Sequence, residues 1–501
     1  MAEKYLYGAS VQGIQDFIFK TDKLAEIVGA SELVEHICTT LFLQVSGLTE
    51  SNQAILQIAA GNVKCEFTDE TKLAYVVRNF PLEVQKMAPG ITISQAVVPV
   101  EGDDYLQKLE EKLKIQRNKI ATPLEIGFMG LERDRKNGEI SYNENHQSES
   151  TVLKLKAIKP DNEKDGNNDS KETLFQKIAG KSIKNREIAF DISEITKSGK
   201  NSWIAVIHAD GNGLGQILAG KGKEISKNKQ NRAFSKAIDD ATKKAVQNVF
   251  NSVIEDTKNT WNKEGKYRYP IRPVILGGDD LTVIIRADLA LEFTTLFLEK
   301  FEETSKTEFK SLGINGLNHL TACAGIAFVK KSYPLHYALH LAEELCSDAK
   351  KKVKKDLTKN ELPKSALAFH KVQDSFVEDL DSLKRRTLKS KVWNFYHGPY
   401  LLDEIKSIQN KLSILNDEAT KGDKKTKAVG KLRQIVSESY KDKSTTIFML
   451  SRMKEINTTF YNDLELDKEL TKVSENDDKK STSPLLDLIT LHGFNYGDKN
   501  N

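Results

Sequence analysis

The order of apolar and polar positions occurs twice along this chain. Leu6-Tyr7-Gly8-Ala9-Ser10-Val11-Gln12-Gly13-Ile14-Gln15 lines up with Val206 to Gly215, which sets Ala9 on Ala209, Ser10 on Asp210 and Gly13 on Gly213. Ile55-Leu56-Gln57-Ile58-Ala59-Ala60-Gly61-Asn62-Val63 matches an Ile-Leu-Gly-Gly-Asp-Asp hairpin, so Gly61 and Asn62 stand where Asp279 and Asp280 do. Ile91 to Val98 pairs in the same way with Leu320 to Ala327, and each of these is followed by a helical stretch rich in Glu, Leu and Lys. Both halves therefore read as strand, turn, amphipathic helix, hairpin, helix, strand, helix. This order predicts an α+β fold with helices packed on an antiparallel-containing sheet.

Between the repeats, Lys156 to Lys184 is dominated by Lys, Asn, Asp, Glu and Gly. It carries too little apolar surface to fold alone, which predicts a mobile connector. After about residue 371 the pattern turns helical, as in Leu401-Leu402-Asp403-Glu404-Ile405-Lys406-Ser407-Ile408, with polar breaks near 416–426 and 475–483. The expected division is a first α+β unit over 1–130, a connector region over 131–200 that is partly disordered, a second α+β unit over 201–375 and a separate helical domain over 376–501.

A length of 501 residues suits two to four domains, each large enough for its own core. Lys and Arg number 75 against 71 Asp and Glu, a net charge of +4, which excludes a polycation coating nucleic acid. Cys38, Cys65, Cys323 and Cys346 form no Cys-x-x-Cys pair, so they read as reduced core thiols. No leader pattern and no apolar run of about 18 residues is present, which predicts a cytoplasmic protein with no membrane partner.

The chemistry sits in the second copy. The apolar run Trp203 to Ala209 delivers Asp210 into the turn Gly211-Asn212-Gly213, whose glycines allow a sharp bend that aims amide N–H groups at phosphate. Gly277-Gly278-Asp279-Asp280 tips a hairpin between the β-rich runs 273–276 and 281–285. Three carboxylates at adjacent strand ends concentrate negative charge that a pair of Mg2+ ions would make tolerable, and phosphoryl transfer needs no His or Cys nucleophile. A dinucleotide fold is excluded because its third glycine falls on Gln216 and no acid-ended second strand follows. His208 reads as packed or outward-facing, not as a ligand, and Lys350 sits on a helix expected behind the hairpin, within reach of a triphosphate. The first copy has lost every carboxylate.

At these residues the chain resembles the palm-domain family of the GGDEF cyclases and, more closely, the large polymerase subunit of type III CRISPR effectors. The resemblance covers about residues 1–375. It rests on Gly13-Ile14-Gln15-Asp16-Phe17-Ile18, Gly29-Ala30-Ser31, His208 to Gly215, the Gly-Gly-Asp-Asp tetrad, Ala324-Gly325-Ile326-Ala327 and the Ala342 to Lys350 helix. It implies two ferredoxin-like palms facing one another with two ATP molecules between them, Mg2+ or Mn2+ as cofactor, and a cyclic oligoadenylate product in antiviral defence. It implies Asp210, Asp279 and Asp280 as catalytic residues, with Asp210, Gly211, Asp279 and Asp280 holding metal. Gly211, Asn212, Gly213, Gly277, Gly278 and Lys350 would bind the nucleotide, with Ser10, Gln12 and Ser31 on the opposing palm.

Two family features do not appear: no histidine is followed by Asp, as the family's nuclease requires, and the cysteines are too dispersed for its zinc element. The tail 376–501 resembles the family's helical domain, which touches RNA or neighbouring effector subunits. Its Lys384-Arg385-Arg386 and Lys421-Gly422-Asp423-Lys424-Lys425 stretches are read first as solvated surface because acids are interspersed. The partners implied are ATP or another NTP, RNA or effector subunits through the tail, and a second copy of the chain. Two rival readings stand beside this one, a non-catalytic scaffold of a ribonucleoprotein and a dimeric cyclase making a mono- or dinucleotide.

Overall fold

A computed structural model describes residues 4–59, 61–102, 104–119, 128–158, 173–196, 202–215, 217, 231–257, 267–314, 318–355, 357, 362–373, 379–420, 426–471 and 482–496. The first half runs β1 (Tyr5–Gln12), α1 (Ile14–Ile18), α2 (Leu24–His36), β2 (Ile55–Ala59), β3 (Asn62–Phe67), α3 (Glu70–Met87), β4 (Thr92–Pro99) and α4 (Tyr105–Arg117). Its four strands pair antiparallel in the order β2-β3-β1-β4. Asp69 caps α3 by accepting from the Thr71 and Lys72 amides, which fixes the turn between hairpin and helix.

Helices that include α5 (Glu149–Ala157) and α6 (Leu174–Ala179) lead into the second half. That half runs β5 (Trp203–Gly211), α7 (Asn231–Val249), β6 (Ile271–Gly277), β7 (Asp280–Arg286), α8 (Ala287–Lys310), β8 (Ala322–Lys330), α9 (Leu335–Lys355) and β9 (Ala366–Lys371). The tail adds α10 (Leu380–Arg386), β10 (Tyr400–Leu401), α11 (Leu402–Thr420), α12 (Thr426–Ser439), α13 (Lys443–Ile456) and α14 (Leu485–Tyr496). The second sheet has the order β10-β9-β8-β5-β7-β6, with β9 parallel to β8.

The repeat read from the sequence holds strand for strand and in register. Ala9 faces Val63 and Ser10 faces Ser94, while Ala209 faces Leu281 and Asp210 faces Cys323. Alternation along β5 sorts its side chains: Ala205, Ile207 and Ala209 enter the cluster with Phe293 and Phe297 of α8, whereas Ile204 and Val206 enter a cluster shared with Phe17, Ile27 and Leu33 of the first half. The two halves thus bury one seam. Across it α2 packs on β6 and α7 packs on β2, a reciprocal arrangement close to a two-fold. Arg232 at the start of α7 donates to the Glu50 and Asn52 carbonyls at 2.8 and 2.7 Å.

Two expectations change. Part of the expected connector, residues 159–172, lies outside the described ones, but Leu174–Ala179 is a helix with a Thr173–Gln176 capping box, and Leu174, Phe175 and Ile178 are buried in the core of the second half. Six residues are too few for a helical period to stand out from polar neighbours. The tail is not a core apart either. Trp393, Ile405, Leu432, Leu488 and Phe494 join the apolar cluster of β5, β8 and α8, and the Phe494 ring stacks on Phe328 at 4.5 Å. The tail's polar breaks fall partly on 421–425 and 472–481, outside the described residues. Among the described residues no helix is long and apolar enough to cross a membrane.

Candidate active site

Asp210 ends β5 and Asp280 opens the neighbouring β7, so antiparallel pairing sets their carboxylates side by side on the face turned toward the first half. Asp279 sits in the two-residue turn between Gly277 and Asp280, which are paired. Gly278 has a φ of 61°, the conformation that a tight hairpin of the II′ kind needs at its first position, and its carbonyl accepts from Thr242 Oγ1 at 2.6 Å. Gly211 makes room for Asp279: a Cβ there would stand 2.7 Å from Asp279 Oδ2.

The crowding has electrostatic consequences. Burial, followed by the charge of Asp210, pushes the Asp279 carboxyl up to about 6, and burial, Asp210 and Asp279 push that of Asp280 up to about 8. One cation answers them. Lys350 of α9 forms an ion pair with Asp210 and donates to the Gly211 carbonyl at 2.9 Å. Burial draws its ammonium down, but Asp210 outweighs that and holds it above the usual range. A lysine inside the acid cluster is thus part of the site, and it occupies the Gly211 oxygen that the resemblance assigns to metal.

His208, Asp210 and Asp280 offer ligand atoms that all lie within 4.8 Å of one another, a grouping able to hold a metal ion. The sequence reads His208 as packed or outward-facing and not as a ligand; its place two residues before Asp210 on one strand puts both side chains on the same face. Its Nδ1 lies 3.0 Å from Thr282 Oγ1, and burial lowers its affinity for a proton. The donors present, mostly carboxylate oxygens whose mutual repulsion Lys350 offsets only in part, fit a hard divalent cation such as Mg2+ or Mn2+.

Facing Asp280 across the seam is a cavity of about 330 Å3 lined by Gly13, Ile14, Gln15 and Ser31 of the first half and by Val274 and Leu276 of the second. Ser31 therefore lies at the shared cavity, where its Oγ bonds the Ile27 carbonyl. Ser10 and Gln12 do not line it. Ser10 bonds Asn62 Oδ1 at 2.9 Å in the first half's own version of the site, and Gln12 Nε2 turns back onto the Ser10 carbonyl. Asn212, expected at the phosphate turn, is fully buried with its Nδ2 on Thr321 Oγ1 and the Lys364 carbonyl, while its Oδ1 has no partner among the described residues. Gly213 keeps a φ of 76°, matching Gly13 at 62°.

Two residues of the site had no voice in the sequence reading. Gln15 of α1 donates from Nε2 to Glu343 of α9 across the seam, beside Asp280, whose carboxyl feels the Glu343 charge. Glu343 lies seven residues before Lys350, two turns along one helix face. That spacing was the available signal. Of the basic tail stretches, Lys384 pairs with Asp348 and covers the Tyr396 ring, and 421–425 lie outside the described residues.

Residues 203–359 match the sequence model of the Cas10/Cmr2 second palm domain. No curated protein matches the chain by sequence. Among solved structures, the Csm1–Csm4 cassette in complex with cA3 is similar over 98% of this chain and 70% of that one, at 13% identity and a TM-score of 0.56. The same cassette with AMPPNP gives 0.55 at 13% identity, and with cA4 0.54 at 12%, with the same coverage. The stretch 203–359 is thus a palm of the Cas10/Cmr2 kind, and the chain is Cas10-like in fold along nearly its whole length.

Proposed function

We propose that this Cas10-like chain is a divalent-metal-dependent nucleotidyltransferase that converts ATP into a cyclic oligoadenylate messenger in CRISPR-type antiviral defence. The observation that carries this reading is the convergence of Asp210, Asp279 and Asp280 beside a cavity whose opposite wall belongs to the first half. The crystallisation of similarly folded cassettes with AMPPNP, cA3 and cA4 supports the nucleotide class.

Asp210, Asp279 and Asp280, with His208 and the Gly211 carbonyl at the edge, would hold Mg2+ or Mn2+. Bound there, the cation supplies an acidified 3′-hydroxyl and relief of triphosphate charge. Lys350, released from Asp210, carries its positive charge to the triphosphate. Gly277 and Gly278 keep the hairpin free of side chains where phosphate approaches, and the turn at Gly13 with Ser31 closes the opposite wall and limits water. The Gln15–Glu343 bond ties α1 to the helix that carries Lys350, so closure of the seam and placement of that lysine go together.

Purified protein incubated with each NTP and Mg2+ or Mn2+, its products resolved by mass, tests this. Linked adenylates from ATP, lost in the Asp279→Ala, Asp280→Ala variant, are expected; no product from any NTP, with effector subunits and target RNA also supplied, overturns it. A product no longer than a dinucleotide would instead establish the dimeric cyclase. One observation favours the scaffold reading, the Lys350–Asp210 pair that closes the acid cleft from within. Co-purifying RNA together with no turnover would decide for it.

A further inference from the structure

The hairpin that carries Asp279 and Asp280 is held from outside its own sheet. Thr242, fully buried in the middle of α7, has two carbonyls in reach of its hydroxyl, that of Ile238 one turn back at 3.0 Å and that of Gly278 at 2.6 Å. A hydroxyl has one proton to donate. A helical threonine that needs only a partner finds one four residues back, so the closer approach to Gly278 is what the helix alone does not explain. The base from which Thr242 acts is itself fixed: Thr304 of α8 donates to the neighbouring Ala241 carbonyl at 2.9 Å, and Arg232 at the start of α7 donates to the Glu50 and Asn52 carbonyls of the first half. The first half anchors its own turn differently. There the Val11 amide donates to the Gly61 carbonyl at 2.8 Å, a backbone bond that needs no helix.

The Gly278 carbonyl belongs to the planar peptide group that leads into Asp279, so a bond to it sets the plane from which the Asp279 side chain springs. The hold matters because the turn is under load. The charge of Asp210 bears on both Asp279 and Asp280, and repulsion of that kind drives a hairpin tip outward unless something opposes it. We infer that Thr242 is a positioning residue, which pins the Gly277–Asp280 turn so that its two carboxylates stand in place before a divalent cation arrives. The inference rests on the reading of the acid cluster as a metal site, and adds to it a side chain that touches neither metal nor nucleotide.

Three full-length proteins test it: the parent chain, Thr242→Val, which keeps the shape and loses the hydroxyl, and Thr242→Ser, which keeps the hydroxyl. In metal-free buffer, amide hydrogen exchange over residues 277–281 is expected to be at least about five-fold faster in Thr242→Val, with β5 and β8 unchanged, and to return to the parent rate in Thr242→Ser. Titration with Mn2+, followed by electron paramagnetic resonance, is expected to show affinity about ten-fold weaker in Thr242→Val and within about two-fold of the parent in Thr242→Ser. Equal exchange at the turn in all three proteins, faster exchange spread evenly over α7, β5 and β8, or Mn2+ affinity unmoved by Thr242→Val overturns the inference. A parent chain that takes up no Mn2+ overturns the acid cluster as a metal site, a separate failure, and the exchange comparison still decides whether Thr242 holds the turn.

Discussion

In the second half Gly211 stands bare and Asp279 fills the space beside it; in the first half Val11 carries the side chain and Gly61 is bare. The exchange is reciprocal. A Cβ on Gly211 would meet Asp279 Oδ2 at 2.7 Å, and a Cβ on Gly61 would meet Ile14 Cδ1 at 2.6 Å, with Val11 Cβ 3.5 Å away. One position up the strand, Ser10 bonds Asn62 at 2.9 Å where Asp210 lies beside Asp280. A cation comes from the equivalent helix in both halves: Arg117 of α4 reaches Ser10 Oγ at 3.3 Å, as Lys350 of α9 reaches Asp210. Register and the helix-borne cation are thus properties of the scaffold, whereas the carboxylates are confined to one copy. Ser10 bonds Asn62, while the acids repel, and the proposed chemistry rests on that difference.

The sharpest way to break the comparison is to remove the acids. Asp279→Ala with Asp280→Ala is expected to lower NTP turnover by at least about 10³-fold, the scale on which preorganised charge acts. Ser10→Ala with Asn62→Ala is expected to stay within about ten-fold by the same assay. Comparable losses would mean that the first half shares the chemistry. The two cations come next: Lys350→Ala is expected to lower kcat/KM by about 10²-fold and Arg117→Ala by clearly less, because only Lys350 meets buried carboxylates.

The same residues show what a sequence can convey. Asp210, Asp279 and Asp280 stood out because Asp210 follows an apolar run into a glycine turn, while Asp279 and Asp280 follow two glycines and lead into a second apolar run. The first half was legible through its register, which the Ser10–Ser94 and Asp210–Cys323 pairings reproduce. What was hidden depends on contacts far apart in the chain. Gln15 and Glu343 meet across 328 positions, and Phe494 of the tail closes over Trp203 and Phe328, so the tail's dependence on the second sheet had no local mark. The burial of Asn212 was equally hidden, because its Nδ2 partners, the Thr321 hydroxyl and the Lys364 carbonyl, lie more than a hundred positions away.

Substitution at the equivalent positions 211 and 11 sharpens the contrast at smaller scale. Gly211→Ala forces Asp279 to move and is expected to lower turnover by roughly ten-fold with little change in melting temperature, as a misplaced catalytic group does. Val11→Ala, at a site 5% exposed, empties core volume and is expected to lower stability by about 1–3 kcal/mol while turnover holds. Calorimetric melting and an NTP assay on both variants check the pair. A Gly211→Ala protein that melts early and still turns over at full rate would show that the glycine serves packing alone.

The smallest expected effect concerns protons. Burial, then Asp210 and Asp279, hold the Asp280 carboxyl at about 8 against an ordinary 3.8. Between those values the folded chain keeps a proton that the unfolded chain has released, so the native state binds more protons and stability falls as pH rises through this window. Asp280→Asn removes that penalty. In metal-free buffer it is expected to raise the melting temperature at pH 8 by roughly a few degrees and to leave it unchanged near pH 4. Added Mg2+ is expected to raise the melting temperature of the unaltered protein at pH 8 more than that of the variant, since the ion gains by binding where the acids repel. Asn62→Ala should show no such pH dependence, because the first half holds no carboxylate there to titrate. If Asp280→Asn melts with the parent protein at pH 8, Lys350 already neutralises the cluster, and the acid-bearing half is under no more electrostatic strain than the half built from Ser10 and Asn62.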